Sequence, residues 1–304
     1  MATAIAFSAY GGPEKLSPLE IDEPDAGPGE VRVRVRAAGV NPVDVKLRRG
    51  DFAGTVAVTF PQRLGNEFAG VIDQVGADVT AFAVGDEVLG FTAMAAYTEV
   101  LTVPAGSVAA KPAALSWEVA GALSAVGQTA CNALQELKVA SGETLLVHAA
   151  AGGVGTVAVQ LARRLGARVI GTASERNHAY LRSLGAEPVV YGAGLVERVR
   201  ALAPDGVDVV LDAVGGPAVD ASLELVADRT RIGTTVDQRA ADEHGILRLR
   251  GSRSTEILAE LAGLAAGGEL ELPVAAVHPL TAAAQAHREV EGGHVRGKVV
   301  LAVG

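Results

Sequence analysis

The chain has 304 residues, of which 49% are hydrophobic and only 4% aromatic, and its formal charge is −9. This is enough apolar residue for one large domain or two smaller ones, each with a core. The acidic balance argues against a nucleic-acid surface, which needs clustered lysine and arginine, and only Arg248-Leu249-Arg250-Gly251-Ser252-Arg253 approaches such a cluster. The single cysteine, Cys131, excludes an internal disulfide and a zinc site built from several thiolates, and it makes a reducing, cytoplasmic setting the expectation.

Residues 1–7 lack a basic start and a long apolar core, so no signal peptide is expected there. Residues 31–36 alternate Val and Arg strictly, the signature of a half-buried strand. Further strands are read at 68–75 and 87–91, punctuated by Gly76, Gly85-Asp86 and Pro104. From Trp117 the texture becomes helical. Strands then alternate with helices: strands at 168–172, 188–191, 207–212 and 230–234, helices at 178–184, 195–202, 218–227 and 256–266. An amphipathic segment, 282–291, precedes a last strand at 298–303. Such alternation predicts a doubly wound parallel sheet covered by helices on both faces. The uncharged run 144–162 is long enough to span a bilayer, but its glycines and its change of periodicity read as a buried strand–turn–helix unit.

That run is Thr144-Leu145-Leu146-Val147-His148-Ala149-Ala150-Ala151-Gly152-Gly153-Val154-Gly155, followed by Val157, Ala158, Leu161, Ala162 and Leu165 at helical spacing. Glycines where a strand becomes a helix let a pyrophosphate approach the unpaired N–H groups of the helix N-terminus. Against the GxGxxG pattern, Ala150 replaces the first glycine while Gly152 and Gly155 fill the other two. On the motif alone, a purely structural turn remains open. About 20 residues on, an acidic residue would accept the ribose hydroxyls of NAD; Ser174 stands there, followed by Glu175 and Arg176. A hydroxyl and a guanidinium suit the 2′-phosphate of NADPH. Alternatively Ser174 only N-caps the helix at 178–184, and Glu175 would repel a phosphate if it faced inward.

Five segments occur in order along nearly the whole chain: Ala37-Ala38-Gly39-Val40-Asn41-Pro42-Val43-Asp44, Leu64-Gly65-Asn66-Glu67-Phe68-Ala69-Gly70-Val71, Val84-Gly85-Asp86-Glu87-Val88, the glycine loop, and Ala286-His287-Arg288 with Gly297-Lys298-Val299-Val300-Leu301. Together they resemble the medium-chain dehydrogenase/reductase superfamily, in its zinc-free quinone oxidoreductase branch, which is similar to zeta-crystallin. The resemblance implies an α/β chain: a groES-like β-barrel catalytic domain over 1–120, completed by 268–304, and a Rossmann NADP-binding domain over 121–267. It also implies a nicotinamide hydride delivered in the cleft between them. Zinc-dependent relatives place a thiolate near the segment of Asp44, a histidine where Asn66 stands and a third ligand near Ser124. None of these residues is the ligand zinc needs, so no metal is expected.

What remains is hydride transfer to a quinone or an α,β-unsaturated carbonyl. By the resemblance, Asn41 lies beside the nicotinamide; Asn41, Asp44 and Lys46 are the catalytic candidates, and Arg253 is the substrate-binding one. The expected NADPH contacts are Asn41, Thr129, Ala151, Gly152, Gly153, Val154, Gly155, Ser174, Arg176 and Tyr191. Each has a plainer reading: Asn41-Pro42 as a turn, Lys46 and its neighbours Arg48 and Arg49 as a solvated basic face, Tyr191 as a strand end, Glu67 as a structural acid, and His148 and His287 as satisfied core residues. No proton donor stands out; an enoyl reductase would place one near Lys46 or Asp44. The expected activity is NADPH-dependent, zinc-independent reduction of a quinone or enone. The alternatives are an enoyl reductase tailoring one metabolite, or a non-catalytic NADPH-binding protein. A small-molecule substrate, no nucleic-acid or membrane partner, and a homodimer paired along the strand at 246–250 complete the expectation.

Overall fold

Alternation in the first long strand sorts its side chains as the pleat requires: Val31, Val33 and Val35 are buried, whereas Arg32 and Arg34 lie on the other face and share Asp73 through their Nε atoms at 2.8 and 2.7 Å. The computed structural model describes residues 1–304 and divides them into two units, Met1–Ala125 with Arg253–Gly304, and Val126–Ser252.

The first unit begins with β1 (Ala2–Phe7), β2 (Leu16–Ile21), β3 (Glu30–Val40), α1 (Pro42–Arg49), β4 (Gln62–Arg63), β5 (Glu67–Val75), β6 (Glu87–Phe91), β7 (Val100–Pro104) and β8 (Val108–Ala110). β1 pairs antiparallel with β2 and β4. β3 pairs antiparallel with β5 and β7, and its ladder to β5 shifts register twice. Such bulges bend a strand and raise its twist, which lets a sheet curl. β6 continues from β5, and β8 from β6. The helix α2 (Trp117–Glu136) then carries the chain into the second unit.

The second unit alternates β9 (Thr144–Val147), α3 (Gly153–Arg164), β10 (Arg168–Thr172), α4 (His178–Ser183), β11 (Glu187–Val189), α5 (Leu195–Leu202), β12 (Val209–Asp212), α6 (Pro217–Leu225), β13 (Ile232–Thr234), α7 (Gln238–His244) and β14 (Leu247–Arg248). Every strand pair is parallel, in the order β11-β10-β9-β12-β13-β14. The chain winds outward from β9 to β11, then crosses to β12 and winds the other way. Ligands of such sheets bind at the carboxyl ends of the strands beside that reversal. The central strands are buried on both faces, with Leu146, Ile170, Val210 and Ile232 in one core.

The chain returns to the first unit as α8 (Thr255–Ala266), β15 (Val274–Pro279), α9 (Ala283–Glu291) and β16 (Lys298–Ala302). β16 pairs antiparallel with β3, placing Val299 opposite Val40, and parallel with β15. The last strand thus completes a sheet begun by the first third of the chain. The units divide after residues 125 and 252, not after 120 and 267 as expected from sequence. The first boundary falls within α2, whose Ala125 N–H is held by Glu67 of this unit; the second moves because of α8, which packs on β8 and buries Leu258, Leu261 and Ala262, and whose periodicity reveals an apolar face but not which sheet that face covers. No helix is long and apolar enough to cross a membrane.

Two buried residues tie α1 and α9 to this unit. Arg48 donates to the Gly11 carbonyl at 2.8 Å and to Glu291 at 2.5 Å. His287 meets the ring of Tyr97 edge-on at 5.9 Å, but neither of its ring nitrogens has a hydrogen-bond partner, so it is not the satisfied core histidine expected from the sequence. Burial, reinforced by Arg48, pushes its pKa down to about 3. A base depressed in the folded state supports stability above its unfolded pKa and withdraws that support as pH falls toward the folded value. His287→Phe, which removes no hydrogen bond, should leave stability at neutral pH unchanged or raise it by about 1 kcal/mol. Urea unfolding at about pH 7 and about pH 4 should also show a smaller acid loss than in the parent chain; a loss of equal size contradicts this account of His287.

Candidate functional site

At the end of β3 the turn Asn41-Pro42 opens α1, and Asn41 takes extended dihedrals at the N-cap with proline at the first helical position. Its backbone N–H donates to Asp44 Oδ2 at 2.9 Å. Its carboxamide is wholly engaged: Nδ2 donates to Glu67 Oε1 at 2.8 Å and to the Gly39 carbonyl at 3.4 Å, and Oδ1 accepts from Lys298 Nζ at 2.5 Å. Lys298 also donates to Glu67 Oε1 at 2.8 Å and to the Val40 carbonyl at 3.2 Å. Glu67 Oε2 accepts from the backbone N–H of Ala125 in α2 at 2.6 Å. A Cβ on Gly39 would lie 2.3 Å from Glu67 Oε1, so this strand position must be glycine for the carboxylate to sit where it does.

Asp44, fully buried, also accepts from Asn66 Nδ2 at 2.6 Å and from the Tyr97 hydroxyl at 3.0 Å. Burial pushes its pKa up to about 6, against the opposing pull of the Asn41 N–H, the Tyr97 hydroxyl and the Lys298 charge. Burial and the neighbouring Asp44 carboxylate raise the Tyr97 phenol well above its ordinary value. At the rim, Arg253 Nη1 donates to the Asn66 carbonyl at 3.1 Å and to Ser124 Oγ at 3.3 Å, with the guanidinium 5.5 Å from the Phe91 ring centre. Of the sequence-derived candidates, Asn41, Asp44 and Arg253 therefore gather around one polar cluster. Lys46, half-buried on α1, lies outside this bonded network.

In the second unit the glycine loop follows β9. Gly152 is the N-cap of α3, whose first N–H groups, from Gly153, Val154 and Gly155, lie beyond the reach of the i→i−4 ladder. A Cβ on Gly152 would meet only the Ala149 carbonyl, at 3.3 Å, so that side is open to an incoming group. Gly155 is closed: a Cβ there would fall 2.4 Å from the Ala149 carbonyl and 2.6 Å from Ala150 Cα. Ala150, in the place of the missing first glycine, is buried, and a Cβ on Gly171 of β10 would lie only 2.7 Å from its methyl. The glycine absent from the loop stands instead on the neighbouring strand.

His148 braces the loop from below. Ser222 Oγ donates to the Ala218 carbonyl at 2.6 Å, so it accepts from His148 Nε2–H at 3.0 Å, which leaves Nδ1 as the acceptor facing Thr172 Oγ1 at 3.4 Å. Thr172 in turn accepts from the Ala149 N–H at 3.2 Å. Burial pushes His148 down to about 4, keeping the ring neutral. Ser174 and Arg176 follow β10, and Tyr191 follows β11. These two strands pair in parallel with Thr172 opposite Val189, so all three residues leave the same sheet edge. Arg176 and Tyr191 are exposed and Ser174 is half-buried, while the N-cap of α4 is Asn177 and not Ser174. Thr129 is half-buried on α2, and Ala151, just before the N-cap, is buried.

Residues 27–113 match the alcohol dehydrogenase GroES-like domain, and residues 184–301 match the family described as zinc-binding dehydrogenase. A quinone oxidoreductase of Pseudomonas aeruginosa is 35% identical, with 99% of each chain covered. The chain belongs to the quinone oxidoreductase family of the medium-chain dehydrogenases/reductases. It is an oxidoreductase of that type. Among solved structures, the Escherichia coli quinone oxidoreductase complexed with NADPH is 31% identical over 99% of this chain and 100% of that one, with a TM-score of 0.87. The CurK enoyl reductase is 27% identical over 100% and 99%, also with a TM-score of 0.87.

Zinc, named in one of the family descriptions, does not fit this quinone oxidoreductase-family chain. No three His, Cys, Asp or Glu side chains are grouped to hold a metal, and the Asp44 and Glu67 oxygens already accept hydrogen bonds from the protein. Sequence reasoning passed over Lys298 and Tyr97, although a lysine heading an apolar strand was a visible signal. In the loop, Gly171→Ala should cost about 1–3 kcal/mol by overpacking. Adding Ala150→Gly should recover part of that, with a coupling of about 1 kcal/mol in a denaturation cycle. Strict additivity would contradict the shared-space reading of Ala150 and Gly171.

Proposed function

We propose that this protein transfers a hydride from NADPH to a quinone or a related α,β-unsaturated carbonyl without metal. The observation that carries the reading is the full-length likeness to quinone oxidoreductases, joined to a side-chain-free approach to the N-terminus of α3. NADPH, when bound, supplies the hydride. Ala151, Gly152, Gly153, Val154 and Gly155 receive its pyrophosphate, Ser174, Arg176 and Tyr191 receive the adenosine end with its 2′-phosphate, and Thr129 and Asn41 belong to the nicotinamide end. Arg253 is the cation that meets the acceptor oxygen as charge builds on it. Asp44 and Tyr97 have no exposed surface, so the reduced oxygen takes its proton from solvent, which suits a quinol.

A second reading, enoyl reduction, is favoured by the likeness to the CurK enoyl reductase. It would call on Lys46 as the half-buried proton donor. The discriminating result is the effect of Lys46→Ala: little change with quinones under the first reading, a large loss of turnover with enoyl thioesters under the second. We also assign a cytoplasmic homodimer paired along β14, the outermost strand of its sheet. A purely monomeric sedimentation profile at micromolar concentration would rule the dimer out.

The direct test is NADPH oxidation with a panel of quinones and enones in the presence of a chelator. Turnover is expected, and none across the panel contradicts the proposal. Arg176→Ala should weaken NADPH by about 1.5–3 kcal/mol while leaving NADH nearly unchanged. Equal loss of both cofactors would remove Arg176 from the phosphate site.

A further inference from the structure

Lys298 heads β16, whose other residues are Val299, Val300, Leu301 and Ala302. Its side chain is almost wholly removed from solvent, and its three N–H donors meet three acceptors, Glu67 Oε1, Asn41 Oδ1 and the Val40 carbonyl. A buried ammonium persists only when paired and fully bonded in this way. With Lys298 on Oδ1, the Asn41 amide has a single orientation, Nδ2 toward Glu67. The same asparagine joins the two buried carboxylates of the cluster: its side chain bonds Glu67 and its backbone N–H bonds Asp44.

We propose that Lys298 is the positioning residue of this site: through Glu67 and Asn41 it fixes the first turn of α1 and balances the buried carboxylates, so that Asp44 holds Asn41, Asn66 and Tyr97 in place as an anion. The groups that face Asp44 come from several elements. Tyr97 precedes β7, Asn66 and Glu67 lie at the start of β5, Lys298 comes from β16, and the Arg253 charge reaches it from ahead of α8. His287 of α9 touches Tyr97. Within this set Lys298 favours the ionised form of Asp44, and Glu67 opposes it. Removing one or the other must therefore displace the ionisation of Asp44 in opposite directions, whereas a lysine whose charge did not reach Asp44 would move it in neither.

The test is a pH titration of the full-length chain, following the infrared C=O stretch of its protonated buried carboxyl, identified by its disappearance in Asp44→Asn. In the parent chain the midpoint is expected at about pH 6. Lys298→Met should raise it by about 1 pH unit or more, and Glu67→Gln should lower it. Because either single removal leaves the other charge buried and unpaired, the double variant Lys298→Met/Glu67→Gln, which removes both together, supplies the arm that stands if a single variant does not fold; its midpoint should still lie above the parent's, since Lys298 acts on Asp44 more strongly than Glu67 does. Midpoints unmoved in the folded variants overturn the proposal. Only its kinetic arm rests on the reductase reading: the acid limb of kcat should follow the infrared midpoint in each variant, and a limb that stays put while the midpoint moves would refute positioning by Lys298. A chain that titrates as described yet reduces no quinone or enone would refute the reductase reading and support this one.

Discussion

The carboxylate of Glu67 has no contact with solvent and is met from three directions: by the Lys298 ammonium on the last strand, by the Asn41 amide before α1, and by the Ala125 N–H in α2. Residues 231 positions apart are joined in that ion pair. Removing one partner would leave an uncompensated buried charge, an outcome far costlier than replacing both together. The pair therefore constrains the rest of the unit. β16 must close on β3, Gly39 must lack a side chain, and the first turn of α1 must begin where Asn41 bridges Glu67 and Asp44. The residues assigned to the acceptor hang from this cluster, Arg253 through the Asn66 carbonyl that adjoins it.

A second constraint of the same kind governs the nucleotide-binding unit, but it is steric. Gly155 and Gly171 leave just enough room for the backbone and methyl of Ala150, and the neutral His148, bonded to Ser222 and facing Thr172, supports the strand end from which the loop departs. The loop departs from the three-glycine pattern without losing its close approach to the helix N-terminus, because the missing space is supplied by the adjacent strand. A pyrophosphate recognised by backbone N–H groups needs only that approach.

Much of the fold was legible in the residues. The Val/Arg alternation at 31–36 and the apolar runs of β9, β10 and β12 carry their periodicity openly, and the ordered motifs carried the family. Three matters were not legible. The assignment of α8 to the first unit depends on which sheet its apolar face covers, and helical spacing is silent on that. The committed state of the Asn41 carboxamide depends on Lys298 and Glu67, which only tertiary pairing brings to it. The motif pointed to Asn41 as chemistry, whereas its side chain is bonded on both ends by the protein. His287, expected to be satisfied, is enclosed with neither ring nitrogen bonded, a feature of packing that no local pattern records.

The central claim is that one buried ammonium, bonded to Glu67, keeps Asp44 ionised and Asn41 in a single orientation. Neutron diffraction from crystals exchanged into deuterated buffer at neutral pH tests it most directly, because deuterons are seen where they sit. The account predicts three deuterons on Lys298 Nζ, directed at Glu67, Asn41 and the Val40 carbonyl, and none on Asp44. A deuteron on Asp44, or fewer than three on Lys298 Nζ, would contradict it.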